Sequence, residues 1–87
     1  MFYTYIIQSS TTSKLYIGQT NNLEDRLRRH NESRNEYTKN RGPWELIYHH
    51  EFKTRSEAVE LEKELKSFKN KNYILNWIKN RQLIASR

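Results

Sequence analysis

The sequence predicts an α/β (α+β) domain, a small three-stranded antiparallel sheet with flanking helices in the order ββαβαα. Three observations carry that prediction. Two runs rich in aromatic and β-branched residues stand near the N-terminus, separated by a few small polar residues. A third such run follows the Gly42-Pro43 pair. The segments between and after these runs repeat their apolar residues at helical spacing, and two of them open on a capping residue.

Residues 2–8 (Phe-Tyr-Thr-Tyr-Ile-Ile-Gln) read as the first strand and Lys14 to Thr20 as the second. With a four-residue loop Ser9–Thr12, a tight hairpin pairs residues whose numbers sum to 21. Tyr5 then lies opposite Tyr16, with Tyr3 and Gly18 on the same face. Asn21 or Asn22 caps a helix running to about Ser33, with Glu24 and Asp25 in its first turn and Leu23 and Leu27 as its apolar contact. Residues 34–43 read as a loop, and Trp44 to Phe52 as the third strand. Thr54-Arg-Ser-Glu57 is a capping box that opens the second helix. A final helix after Asn70 carries Tyr73, Leu75, Trp77 and Ile78. Residues 1–87 are expected to form a single domain, since the two Gly and one Pro leave no visible linker.

The composition excludes several classes. The absence of cysteine removes disulfide frameworks and thiolate metal sites. No apolar run approaches the roughly 20 residues of a membrane span, and no signal-peptide pattern opens the chain. A soluble cytoplasmic protein is the expectation. The net charge is +6 and unevenly placed. Residues 1–65 balance ten basic against ten acidic side chains, whereas residues 66–87 hold six basic ones and no carboxylate. Such a segment favours a polyanion through charge attraction and counterion release, or else is a solvated face. Lys66, Lys69 and Lys71 are the candidates for nucleic-acid backbone contacts, followed by Arg28 and Arg29.

Helical phase singles out Glu62. At about 100° per residue Ala58, Leu61, Leu65 and Phe68 share one arc, extended by Val59. Glu57, Glu60 and Glu64 fall opposite, but Glu62 falls inside the apolar arc. An inward carboxylate needs a cation or donor. Lys66 at i+4 is one candidate, and a hard divalent cation such as Mg2+ or Mn2+ is the other. His49 and His50 are adjacent on a strand, so they should face opposite ways and not chelate together. Gln8, Gln19, Thr38 and Asn40 are not placed by spacing alone.

Tyr3-Thr4-Tyr5, ten intervening residues, Tyr16-Ile17-Gly18, and Arg26 eight residues further on together resemble the GIY-YIG nuclease family. Later landmarks of the resemblance are Gly42-Pro43-Trp44 and the helix carrying Glu62. It is closest to the short standalone bacterial members, related to the nuclease domain of the excision-repair C subunit. The first triplet keeps only the final Tyr of Gly-Ile-Tyr. The resemblance implies catalytic roles for Tyr5, Tyr16 and Arg26, and a single Mg2+ or Mn2+ on Glu62. Tyr16 would be the general base or orient the attacking water, Tyr5 would support that water, and Arg26 would stabilise phosphate charge.

His30, matched in several family members, shares a helix side with Arg26 and would assist Tyr16 as a group that titrates near neutral pH. Its alternative is a solvated His on a basic helix. The resemblance also suggests a shaped loop at Tyr37-Thr38. The implied function is a metal-dependent DNA endonuclease, structure- or damage-directed, with RNA not excluded and specificity drawn from nucleic-acid shape or a protein partner. The alternative is a non-catalytic nucleic-acid-binding module on the same fold.

Overall fold

Strand β1 (Phe2–Ser9) takes the middle of the sheet because it holds the longest buried run, Thr4 to Ile7. Strands β2 (Leu15–Thr20) and β3 (Trp44–Phe52) flank it, both antiparallel, in the spatial order β2-β1-β3. Helices α1 (Leu23–Asn31), α2 (Arg55–Ser67) and α3 (Lys71–Ala85) complete the predicted order ββαβαα. The computed structural model describes residues 1–32 and 42–85, with side chains described as far as Arg81.

Alternation along β1 divides the core between the two faces of the sheet. Ile6 pairs with Ile17, and both pack against Leu65 of α2 and Ile74 and Ile78 of α3. Tyr5, Ile7 and Trp44 form the second cluster, covered by Leu23 and Leu27 of α1. In α3 the buried residues are Ile74 and Ile78, while Tyr73 is 57% exposed. Asn22 caps α1 through the Asp25 amide, and Thr54 caps α2 through the Glu57 amide. The side chain of Asn31 holds the start of β3, accepting from the Trp44 amide at 2.6 Å and donating to its carbonyl at 3.2 Å.

The hairpin register differs from the expected one. Partners sum to 23, so Tyr5 lies opposite Gly18, and Tyr16 lies opposite Ile7. The four-residue turn is Ser10–Ser13 because Ser9 stays in the sheet. Its amide bonds to the Lys14 carbonyl, it pairs with Trp44 across β3, and its hydroxyl accepts from the Thr11 and Thr12 amides. A shift of two preserves the face of every side chain, so Tyr5, Tyr16 and Gly18 still share one side. A bulge in β3 breaks the alternation there. Ile6 pairs with Tyr48 but Ile7 with Leu46, so Ile47 and Tyr48 both reach the α2–α3 layer.

Candidate active site

The Tyr5 ring reaches from β1 across the backbone of β2 at Gly18. A Cβ at position 18 would stand 2.6 Å from Tyr5 Oη and 2.8 Å from its Cζ. The glycine is required by close approach, since its φ is not positive. Gly18→Ala is therefore expected to push the ring aside, costing about 1–3 kcal/mol as overpacking does. Denaturant unfolding reads this as a lower midpoint; an unchanged midpoint would mean the ring has room to move.

Tyr5 is 1% exposed, and its Oη lies 2.8 Å from His30 Nε2. Helix α1 delivers the imidazole, because Leu23, Leu27 and His30 follow each other at i, i+4 and i+7 along its inward stripe. His30 is itself only 1% exposed, which settles against a solvated histidine. Tyr16 stands beside the pair, half-buried, with its ring 4.7 Å from that of His30 and 6.3 Å from that of Tyr5. Tyr5 forms the floor of this cluster and Tyr16 its more open side.

Charge completes the arrangement. Burial pushes the Tyr5 hydroxyl well above the ordinary tyrosine range, and the neighbouring Tyr16 and Glu62 push the same way. The nearby positive charge of Arg26 opposes them. Tyr5 thus stays protonated at neutral pH and serves as a hydrogen-bonding group, not as a base. Burial lowers His30 to about 4, and the Arg26 charge adds to that effect. The expectation that His30 titrates near neutral pH is corrected accordingly: the imidazole is neutral there and is bonded to Tyr5.

This depression has a consequence for stability. An unfolded His30 takes up a proton near pH 6.5, the folded one only near 4. The stabilisation is complete above pH 6.5 and is lost as the pH falls to about 4, a change of about 3 kcal/mol. Urea unfolding of the wild type should lose that much more over this interval than unfolding of His30→Gln. Parallel curves for the two proteins would contradict the buried neutral imidazole.

Glu62 behaves as helical phase requires. Its side chain is 19% exposed, whereas Glu57, Glu60 and Glu64 are exposed. Its Oε2 lies 2.8 Å from Lys66 Nζ, so the anticipated i, i+4 pair is formed. Helix α2 packs on the face opposite α1, yet the Glu62 charge still acts on the Tyr5 hydroxyl. Among the described residues no three of His, Cys, Asp or Glu cluster. Glu62 is the carboxylate that could hold a divalent cation such as Mg2+ or Mn2+, with water and phosphate oxygens as the other ligands, and it would have to exchange its Lys66 partner to do so.

Lys66, Lys69 and Lys71 are exposed and line an open cleft of about 560 Å³. Tyr16 borders it, but Leu15, Ile17, Leu65 and Ile74 place the cleft on the α2–α3 side of the sheet, whereas the Tyr16 ring packs with Tyr5 and His30 on the α1 side. Lys14 lines it too, a residue that sequence reasoning missed because nothing in its spacing relates the hairpin turn to the α2–α3 junction. Arg29 is not among the lining residues; it lies on α1 with its Nε 2.9 Å from Asp25 Oδ2. Gln8 donates to the Ser13 carbonyl, and Gln19 accepts from Arg55. His49 and His50 occupy successive positions opposite Tyr5 and Thr4, hence opposite faces, and both are exposed. Tyr37, Thr38 and Asn40 lie outside the described residues.

Comparison with known proteins identifies the family. The GIY-YIG catalytic domain is the family whose model matches, over residues 1–76. The chain belongs to the GIY-YIG family. Membership points to nuclease chemistry and a nucleic-acid substrate. A UPF0213 protein of Oceanobacillus iheyensis is 43% identical over 65 residues, 74% of either chain. A UPF0213 protein of Haloquadratum walsbyi is 42% identical over 67 residues, 76% of this chain and 74% of its own. A solution NMR structure of a UPF0213 protein from Bacillus halodurans has 27% identity and a TM-score of 0.49, covering 100% of this chain and 86% of its own.

The second GIY-YIG triplet, Tyr16-Ile17-Gly18, lies on β2, and the first is Tyr3-Thr4-Tyr5 on β1. Tyr3, which stands where the family name has Gly, donates to Glu51 at 3.2 Å and meets the His49 ring edge-on. The altered triplet thus keeps Tyr5 in place and engages its extra ring elsewhere. No helix among the described residues is long and apolar enough to cross a membrane.

Proposed function

We propose that this protein is a metal-dependent endonuclease that hydrolyses DNA phosphodiester bonds, directed by DNA structure or damage. The observation that supports it most is the Tyr5–His30 hydrogen bond with the Tyr16 ring beside it and the charges of Arg26 and Glu62 acting on the Tyr5 hydroxyl. A lysine-lined cleft lies on the α2–α3 side of the same sheet.

Tyr16 is the hydroxyl more open to a substrate, so it orients the attacking water by hydrogen bonding or, as the phenolate, takes its proton and returns to the phenol. Tyr5, protonated and fixed by His30, holds the polar floor of the site. Arg26 stabilises the charge that develops on the phosphate oxygens, as a guanidinium does well where water is partly excluded. A Mg2+ or Mn2+ on Glu62 would supply Lewis-acid stabilisation of the phosphate and its leaving oxygen. Lys66, Lys69 and Lys71 hold the flanking backbone, and Arg29 adds to the field from α1.

The test uses labelled branched, single-stranded and duplex DNA with Mg2+ or Mn2+. Cutting that chelator abolishes is the expected result. Salt-sensitive binding with no cutting in either metal would instead identify a non-catalytic binding module.

A further inference from the structure

We propose that Lys66 is a placeholder for the metal ion: its ammonium holds Glu62 while the ion is absent and passes to a substrate phosphate when the ion binds. This rests on the nuclease reading and adds to it a coupling between metal and nucleic acid. Lys66 faces two ways. Its Nζ lies 2.8 Å from Glu62 Oε2, one turn back along α2. The same side chain lines the cleft on the α2–α3 side of the sheet, together with Lys14, Lys69 and Lys71. Among the described residues no carboxylate lines that cleft.

The two partners are unequally buried. The Glu62 side chain is 19% exposed and that of Lys66 56%. A carboxylate that has given up most of its water needs a cation nearby. A largely exposed ammonium on a flexible stem gains little by staying, so the pair is weak and readily exchanged. A divalent, oxygen-seeking ion brings twice the charge to the same carboxylate. The released ammonium then joins three other lysines, whose mutual repulsion a phosphate relieves. Each ligand thereby favours the other, and linkage makes the coupling factor the same in both directions. The neighbouring lysines are placed differently. Lys71 Nζ reaches the Ser13 carbonyl at 3.4 Å, and Lys69 stands beyond the end of α2 at a φ of 55°.

The first test needs neither catalysis nor DNA. Mg2+ is titrated into the full chain at constant ionic strength, and NMR follows the backbone amides of α2 around Glu62. Lys66→Gln should bind Mg2+ about two- to fivefold more tightly than the wild type, the range of one exposed ion pair. Lys66→Arg keeps the charge and should stay near the wild-type affinity. Lys69→Gly removes a charge from the same cleft at a φ that glycine adopts freely, and should leave Mg2+ affinity unchanged. A merely structural Lys66 would give equal or weaker Mg2+ binding in Lys66→Gln, and that result would overturn the proposal.

The second test reads the coupling from the nucleic-acid side. Fluorescence anisotropy gives the affinity for a labelled branched DNA in chelator and in saturating Mg2+, again at constant ionic strength. Tyr16→Phe is the background, so that no strand is cut. The gain in affinity on adding Mg2+ should be smaller by the same two- to fivefold when Lys66→Gln is added. An equal gain in the two proteins would overturn the exchange. Glu62→Gln separates this from the nuclease reading. Mg2+ binding that is absent from the wild type, or that survives Glu62→Gln, defeats the metal assignment and the exchange with it. Mg2+ binding lost in Glu62→Gln but indifferent to Lys66→Gln defeats the exchange alone.

Discussion

Arg26→Ala is expected to slow single-turnover DNA cleavage by about 10²–10³-fold, the loss seen when one preorganised charge donor leaves a transition state. Among the described residues the guanidinium is the one cation acting on both Tyr5 and His30, lowering each. Its removal therefore leaves a second, independent mark. The imidazole of His30 should titrate at a higher pH than in the wild type, though still below the ordinary value, because burial is the larger cause of its depression. NMR titration of the imidazole reads this without any substrate. A normal cleavage rate with an unmoved His30 would take Arg26 out of the site.

Glu62→Gln separates cutting from binding. The substitution keeps the shape and removes the charge that would hold a divalent ion, so cleavage should fall by about 10²-fold or more. The fold should hardly notice, since a half-exposed i, i+4 pair is worth about 0–1 kcal/mol. Binding to DNA in chelator should move the other way. Lys66 loses the carboxylate that offsets its charge at the cleft, so affinity is retained or increased and the salt dependence steepens. Full cleavage by Glu62→Gln at the same Mn2+ concentration would contradict the metal assignment. Weaker DNA binding in chelator would contradict the coupling between Glu62 and Lys66.

The element order was legible from local pattern, because each run of residues declares its own period and caps. Glu62 was legible for the same reason: its inward phase follows from positions 58 to 68 of one helix. Of its two candidate partners the structure shows the Lys66 pair, and the divalent ion stays a proposal.

What failed depends on tertiary choices. The hairpin register turned on whether Ser9 belongs to the turn or the strand, and the pairing with Trp44 from a distant segment decides that. The β3 bulge at Ile47 has no local signal, yet it sends two successive side chains into one layer. His30 carried a usable clue in its spacing from Leu23 and Leu27. Its ionisation did not, because burial against Tyr5 exists only in the folded protein. The place of Lys14 in the cleft likewise arises from α2 and α3 packing beside β2.

The central claim is that the Tyr5–Tyr16–Arg26 cluster performs the chemistry. Tyr16→Phe tests it most directly, since it deletes one hydroxyl from a half-buried ring and leaves the ring contact with His30 available. Single-turnover cleavage of an end-labelled branched DNA in Mn2+ should fall by at least about 10²-fold, with binding and thermal unfolding unchanged. Equal rates for Tyr16→Phe and the wild type would contradict the account.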